Sequence, residues 1–450
     1  MYDLALKGGT IVTQDDVFEG DLAILGEKIA AVGRELSADK ILDVSGMVVL
    51  PGAIDPHVHM ALPVQGGERS CDDFASGTMA AASGGVTTII DFTVGSREST
   101  MAEDLEKRLA AAGDSFIDYA FHAEVVGWTP ARLDDIRTVA EMGVRSFKFF
   151  TAYASSGRRA DNGQLLESMR VLAELDALAI VHAEDEEIIK AILDKMPEER
   201  KSGMTALGVS RPDLCEASAV ASVAWLARSA GARVHIVHLS SRLGLRELMK
   251  AREDGTDITA ETCPQYLLLT DEAYLREDAR FFSAAPALRT AADQEALWDA
   301  LARKDVSFLA TDHCPFTNEQ KAWRGRFDKL PYGLPGVELL LPLAYSEGVM
   351  KGRFSLSDLV ELTSTAAAKL YGLYPRKGNL MPGADADIAV IDPKAEWTVK
   401  ASGLRSKSGF SPYEGMALQG NIFATISRGE PIFLDGEFKG RSRRGRFLAL

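Results

Sequence analysis

The most restrictive feature of this chain is an alternation, kept up from residue 47 to residue 311, of short apolar runs with stretches whose apolar residues recur at helical spacing. Eight runs read as strands: residues 47–54, 86–92, 117–125, 144–150, 178–182, 234–239, 257–262 and 306–311. They are short and rich in β-branched and aromatic side chains. Between them, residues 74–83, 165–176 and 217–230 show helical periodicity, with Gly close behind two of them. Parallel strands need crossover connections, so eight such units in about 270 residues predict an α/β chain built on a TIM-like (β/α)8 barrel. Chemistry in that architecture sits just past the C-terminal ends of the strands.

Both chain ends have another texture. Short apolar runs at 4–6, 10–12, 21–25, 29–32 and 41–44 are separated by Gly and Asp turns, and similar runs return at 386–391, 397–399 and 422–426. The two ends are expected to build one small β-sandwich, with residues 1–52 as its N-terminal part. Residues 53–375 then form the catalytic barrel, and 376–450 the rest of the sandwich and a tail.

Charge and apolar content narrow the partners. Sixty-five acidic residues against 50 Lys and Arg leave a net charge of −15, which argues against binding a phosphate backbone. No run approaches the roughly 18 to 20 apolar residues of a membrane span, and the start, Met1-Tyr2-Asp3-Leu4, lacks the flank and core of a signal peptide. No nucleic acid and no membrane are expected as partners, and the location expected is cytoplasmic. Cys71, Cys215, Cys263 and Cys314 are scattered without CxxC spacing and read as reduced core residues.

Titratable residues gather at the strand ends. The first strand runs into Asp55-Pro56-His57-Val58-His59; histidines at i and i+2 in extended backbone point the same way and can face one ion, although paired core histidines have the same spacing. The fourth ends in Phe147-Lys148-Phe149-Phe150. Its lysine either reaches out to solvent or, buried with a lowered pKa, can take up carbon dioxide as an anionic carbamate able to bridge two cations. The fifth ends at His182, the sixth at His238 and the eighth at Asp312. Four histidines, a lysine and an aspartate on one rim are hard to explain by packing, and the ligand types suit zinc, with manganese, cobalt or iron also compatible. Of the other histidines, His122 reads as a structural hydrogen-bonding group with a supporting role at the site as the alternative. His235, three residues before His238, is expected to face outward against helices. For His313 a supporting role and a structural one stay equally open.

With these residues in place the chain resembles the amidohydrolase superfamily, and within it the cyclic amidases: dihydropyrimidinase, hydantoinase and allantoinase. The likeness runs through residues 49–59, Asp72-Asp73-Phe74, residues 84–92, 147–153, Glu261-Thr262-Cys263-Pro264-Gln265-Tyr266, residues 310–316 and Met381-Pro382-Gly383-Ala384-Asp385. It implies two divalent metal ions per subunit. His57, His59 and Asp312 would hold the first, His182 and His238 the second, and Lys148, modified to N6-carboxylysine, both. A hydroxide between the ions would attack the ring amide. Asp312 would take its proton and pass it to the leaving nitrogen, and Tyr153 would donate to the oxyanion.

The implied activity is hydrolysis of a 5-substituted hydantoin or 5,6-dihydropyrimidine to the N-carbamoyl amino acid, by a homotetramer or homodimer. Allantoin or another cyclic amide is the alternative substrate, and a non-catalytic scaffold of the same fold is disfavoured because all six ligand positions are filled. The similar dihydroorotases carry an arginine where this chain has Ala61. The loop 62–69 and segment 149–159 correspond to ring-substituent loops, with Leu62 and Phe150 as an apolar wall. Ala285 and Tyr332 stand where the family holds the imide through backbone groups, in departures from Ser-Pro-Pro-Leu-Arg and Asn-Gly respectively.

Overall fold

The computed structural model describes residues 1–64, 67–440 and 443–450; Gln65 and Gly66, in the loop expected to contact a ring substituent, lie outside the described residues. Eight parallel strands follow one another in chain order around a single sheet: Ala53–Val58, Val86–Phe92, Asp118–Glu124, Ser146–Phe150, Leu178–His182, Arg233–Ile236, Ile258–Thr262 and Phe308–Leu309. The first and eighth meet through a parallel bridge between Val58 and His313, where the His59 amide donates to the His313 carbonyl at 2.7 Å. Deeper in the same seam, the fully buried Asp55 carboxylate accepts from the Thr311 amide at 3.1 Å and its hydroxyl at 2.5 Å. A side chain thus supplies pairing that the two-residue eighth strand lacks.

The apolar run expected as the first barrel strand divides at Gly52. Val48–Pro51 pairs in another sheet, and only Ala53–Val58 enters the barrel. Any side chain at Gly52 would collide with Thr87, since a Cβ there falls 2.1 Å from its Oγ1. Periodicity cannot show such a split, because both halves are apolar and extended.

The helices flank the barrel as their spacing predicts, over Phe74–Ser83, Asn162–Glu174 and Asp213–Ala230. The first two begin with capping boxes, at Asp73 with Ser76 and at Asp161 with Gln164. Inside the barrel, Ile54, Ile90, Ala120, Leu178, Ile180 and Phe308 share a cluster with Tyr371 and Leu373. On their strands Ile54, Leu178 and Ile180 precede the rim histidines, so this cluster fills the N-terminal end and leaves the C-terminal end to polar groups.

Both chain ends form one nine-stranded mixed sheet. Its joint is Val48–Pro51, parallel to the N-terminal strand Tyr2–Val12 at Thr10 and Ile11, and antiparallel to Ile388–Thr398 from Ile388 to Ile391. Leu4, Leu22 and Ile24 from one end share a core with Ile388, Ala424 and Ile426 from the other. All four cysteines are free. Among the described residues no helix is long and apolar enough to cross a membrane.

A buried ion cluster ties the sheet to the barrel at the end remote from the rim. Lys377 Nζ lies 2.6 Å from Asp118, which opens the third barrel strand, 2.5 Å from Asp387 and 3.0 Å from Asp385; Arg428 Nε reaches Asp118 at 3.1 Å. The three carboxylates approach one another closely enough to suggest a cation site, but the ammonium already occupies the space between them. Burial works against the charged lysine, yet the surrounding carboxylates, Asp387 first, hold its pKa above the ordinary value. Replacing Lys377 by Met strands buried negative charge, so denaturant unfolding is expected to show a loss of about 3–5 kcal/mol.

Candidate functional site

Backbone turns aim the rim residues. Asp312, at φ 51°, and His238, at φ 42°, both adopt left-handed conformations just past their strands, as does Tyr153 at φ 72°. Such backbone is costly for side chains other than glycine and concentrates at functional sites. It places Asp312 Oδ1 3.1 Å from His59 Nε2 and 3.3 Å from His57 Nε2. These three residues offer ligand atoms within 4.8 Å of one another. On the far side, His182 Nδ1 and His238 Nε2 converge to 3.0 Å.

Two buried carboxylates set the ring orientations. Glu261 Oε1 lies 2.5 Å from His57 Nδ1, and Glu184 Oε2 lies 2.8 Å from His182 Nε2. Each takes the N–H of one nitrogen and leaves the other nitrogen's lone pair facing the centre. Burial lowers the pKa of His57, His182 and His238, which keeps the rings neutral. Burial opposes ionisation of Asp312 too, but His57 and His59 hold its carboxyl below the usual carboxylate range. Neutral imidazoles with an ionised carboxylate are the donor set that a divalent cation takes.

Lys148 is 1% exposed and near enough to both sets for its charge to act on His57 and Asp312 as well as on His182 and His238. Its Nζ sits 5.2 Å from the ring centroid of Phe92 and 5.0 Å from that of Phe150, and among the described residues it forms no ion pair. Desolvation lowers its pKa to about 8. Among the described residues the buried Nδ1 atoms of His59 and His238 also lack hydrogen-bond partners. A cluster this polar and this incompletely paired fits a site completed by cations.

The sequence pattern of the Amidohydrolase family matches residues 48–432. The chain belongs to the amidohydrolase family. It is 41% identical to D-phenylhydantoinase of Escherichia coli K12 over 98% of this chain and 97% of that one. Among solved structures it is similar to dihydropyrimidinase from Brevibacillus agri, with 34% identity, a TM-score of 0.96 and coverage of 100% and 98% of the two chains. L-hydantoinase from Arthrobacter aurescens follows with 30% identity, a TM-score of 0.91 and full coverage of both chains. These likenesses place it in the hydantoinase and dihydropyrimidinase branch of the family.

The other residues singled out from the sequence fall as follows. Tyr153 places its ring 5.0 Å from that of His182, and burial raises its phenol to about 12, so it keeps its proton. Phe150 stands 5.9 Å from the His182 ring. Leu62 is half-buried, and its amide hangs from Ser70, whose hydroxyl donates to the His59 carbonyl. Ala285 and Tyr332 lie on neighbouring segments, joined where the Gly333 amide donates to the Ser283 carbonyl at 2.9 Å. His122 Nε2 lies 2.9 Å from the Pro56 carbonyl, bracing the turn before His57. His313 Nδ1 accepts from the Gly336 amide at 3.0 Å, and its Nε2 lies 3.2 Å from Asp72.

His235 corrects the expectation. It does not face the helices: it lies inside the barrel, stacked 5.0 Å from Phe308, with Nε2 3.3 Å from Glu261 Oε2. The alternation argument fails because the strand ends at Ile236, and the left-handed turn at His238 brings that residue inward as well. Glu261 thereby sits between His57 and His235, a role the sequence reading did not assign.

Arg211 was also missed. It ion-pairs with Glu184 and lies 5.3 Å from the Tyr153 ring centroid and 5.7 Å from that of Tyr332. One guanidinium therefore joins the carboxylate behind His182 to both tyrosines. No spacing signal marks it, because it comes from the short loop between Thr205–Ser210 and Asp213–Ala230. Glu261→Gln is expected to weaken metal retention by about 10–100-fold, measured by metal analysis after dialysis against chelator. Glu184→Gln should act likewise.

Proposed function

We propose that the chain opens 5-substituted hydantoins and 5,6-dihydropyrimidines to N-carbamoyl amino acids. Two divalent ions, zinc first, would be held by His57, His59 and Asp312 on one side and His182 and His238 on the other, with Lys148 as a carbamate between them. The observation that carries this reading is the pair of imidazole sets, each oriented by a buried carboxylate, together with a buried lysine that has no ion-pair partner among the described residues. A carbamate on that lysine would carry negative charge and offer two oxygens to two ions.

When bound, the ions polarise the ring carbonyl and make water acidic enough to lose a proton near neutral pH. Asp312, ionised and beside both His57 and His59, accepts that proton at its carboxylate and returns it to the departing ring nitrogen. The Tyr153 phenol, still protonated, donates to the oxyanion as the carbonyl carbon becomes tetrahedral. Backbone groups at Ala285 and Tyr332 hold the imide, and Phe150 with Leu62 forms the apolar wall for the ring substituent.

Ring choice follows from charge. Ala61 offers no cation, and the guanidinium of Arg211 is taken up by Glu184, which favours uncharged rings over dihydroorotate. The allantoinase alternative is not favoured, since the relatives named above are hydantoinases and a dihydropyrimidinase. A cytoplasmic homotetramer or homodimer belongs to the same reading and rests on the family resemblance.

Purified protein supplied with zinc or manganese and bicarbonate is expected to open dihydrouracil, dihydrothymine or a 5-substituted hydantoin, leaving dihydroorotate intact. Absence of turnover on every ring would refute the reading. Lys148→Ala should lose both metal and activity, with partial rescue by short carboxylic acids. Tyr153→Phe should keep its metal and lose about 100-fold or more in turnover.

A further inference from the structure

Lys321 is fully buried and outside the metal centre. Its Nζ donates to the Ser283 carbonyl at 3.2 Å, to the Ser283 hydroxyl at 2.7 Å and to the Pro331 carbonyl at 2.8 Å. The ring centroid of Phe316 lies 5.5 Å away, and among the described residues no carboxylate pairs with the ammonium. Burial pushes its pKa down to about 7. Holding an ammonium on neutral oxygens costs free energy that an apolar side chain would not, so stability alone does not account for a lysine here.

What the three bonds join is specific. Ser283 lies two residues before Ala285, and Pro331 directly precedes Tyr332 and Gly333, so the lysine grips both segments assigned to the imide. The segments also touch directly: the Gly333 amide donates to the Ser283 carbonyl, and the Ser283 hydroxyl lies 3.1 Å from the Pro331 carbonyl. Gly333 has φ 145°, and a Cβ there would fall 2.3 Å from the Cys314 carbonyl. The second segment therefore lies close against the chain that follows Asp312. A shift of either segment moves the peptide groups that hold the ring and so weakens binding of the ring itself.

We propose that Lys321 is a positioning residue for the cyclic substrate, its ammonium pinning segments 283–285 and 331–333 at the spacing from which their peptide groups hold the imide. The inference rests on the ring-opening reading, which wild-type turnover on the substrate panel tests separately. Steady-state kinetics on the preferred ring, with metal content measured on the same samples, test the pin itself. Lys321→Met should raise KM about tenfold or more, with kcat within about threefold of wild type and full metal content. Lys321→Arg, which keeps charge and donors, should recover part of that loss. An unchanged KM in Lys321→Met, or a loss of kcat and metal together, would overturn the assignment. Should Lys321→Met fail to fold, Ser283→Ala decides: it removes one acceptor and should raise KM about threefold, whereas an unchanged KM overturns the proposal.

Discussion

Closure of the barrel between its first and eighth strands is the constraint on which the site depends. The two strands come from segments 256 residues apart, and their seam is held by the Asp55 carboxylate on Thr311 and by the His59 amide on the His313 carbonyl. Those contacts bring His57 and His59 beside Asp312. An eighth strand of only two paired residues could not hold this register through backbone bonds alone, and a buried aspartate supplies the missing acceptor. The seam and the cluster of His57, His59 and Asp312 are thus one structure.

Inside the closed barrel, geometry is passed outward in layers. Glu261 holds His57 and reaches His235, Glu184 holds His182, and Arg211 holds Glu184 while facing Tyr153 and Tyr332. Each buried charge is met by an opposite charge or by several hydrogen bonds, as low dielectric demands. Lys148 is the exception: among the described residues it forms no ion pair, and its ammonium lies over the rings of Phe92 and Phe150. At the opposite end, Lys377 has the reverse situation, surrounded by carboxylates, and its role is to join barrel and sheet.

How far the site was legible depended on backbone regularity. His57 and His59 could be paired from sequence because i and i+2 share a face in extended chain, and the strand-end positions of Lys148 and His182 followed from strands that run straight to their ends. His235 was misread because alternation was extended past Ile236, where the strand stops and His238 turns into a left-handed conformation. The break at Gly52 was hidden for a related reason, since one apolar run served two sheets. Glu261, Arg211 and Lys321 carried no periodic signal, because their partners lie far away in the chain.

The sequence by itself determined the barrel, the sheet built from both ends, the family and the strand ends near which His57, His59, Lys148, His182, His238 and Asp312 stand. Those follow from local patterning and motifs, which act over a few residues at a time. Only the tertiary structure decided which carboxylate orients which imidazole, that Lys148 has no ion-pair partner among the described residues, and that Lys321 bridges two separate segments. Such facts depend on distances across the closed barrel and on burial, and neither is set until the first strand meets the eighth.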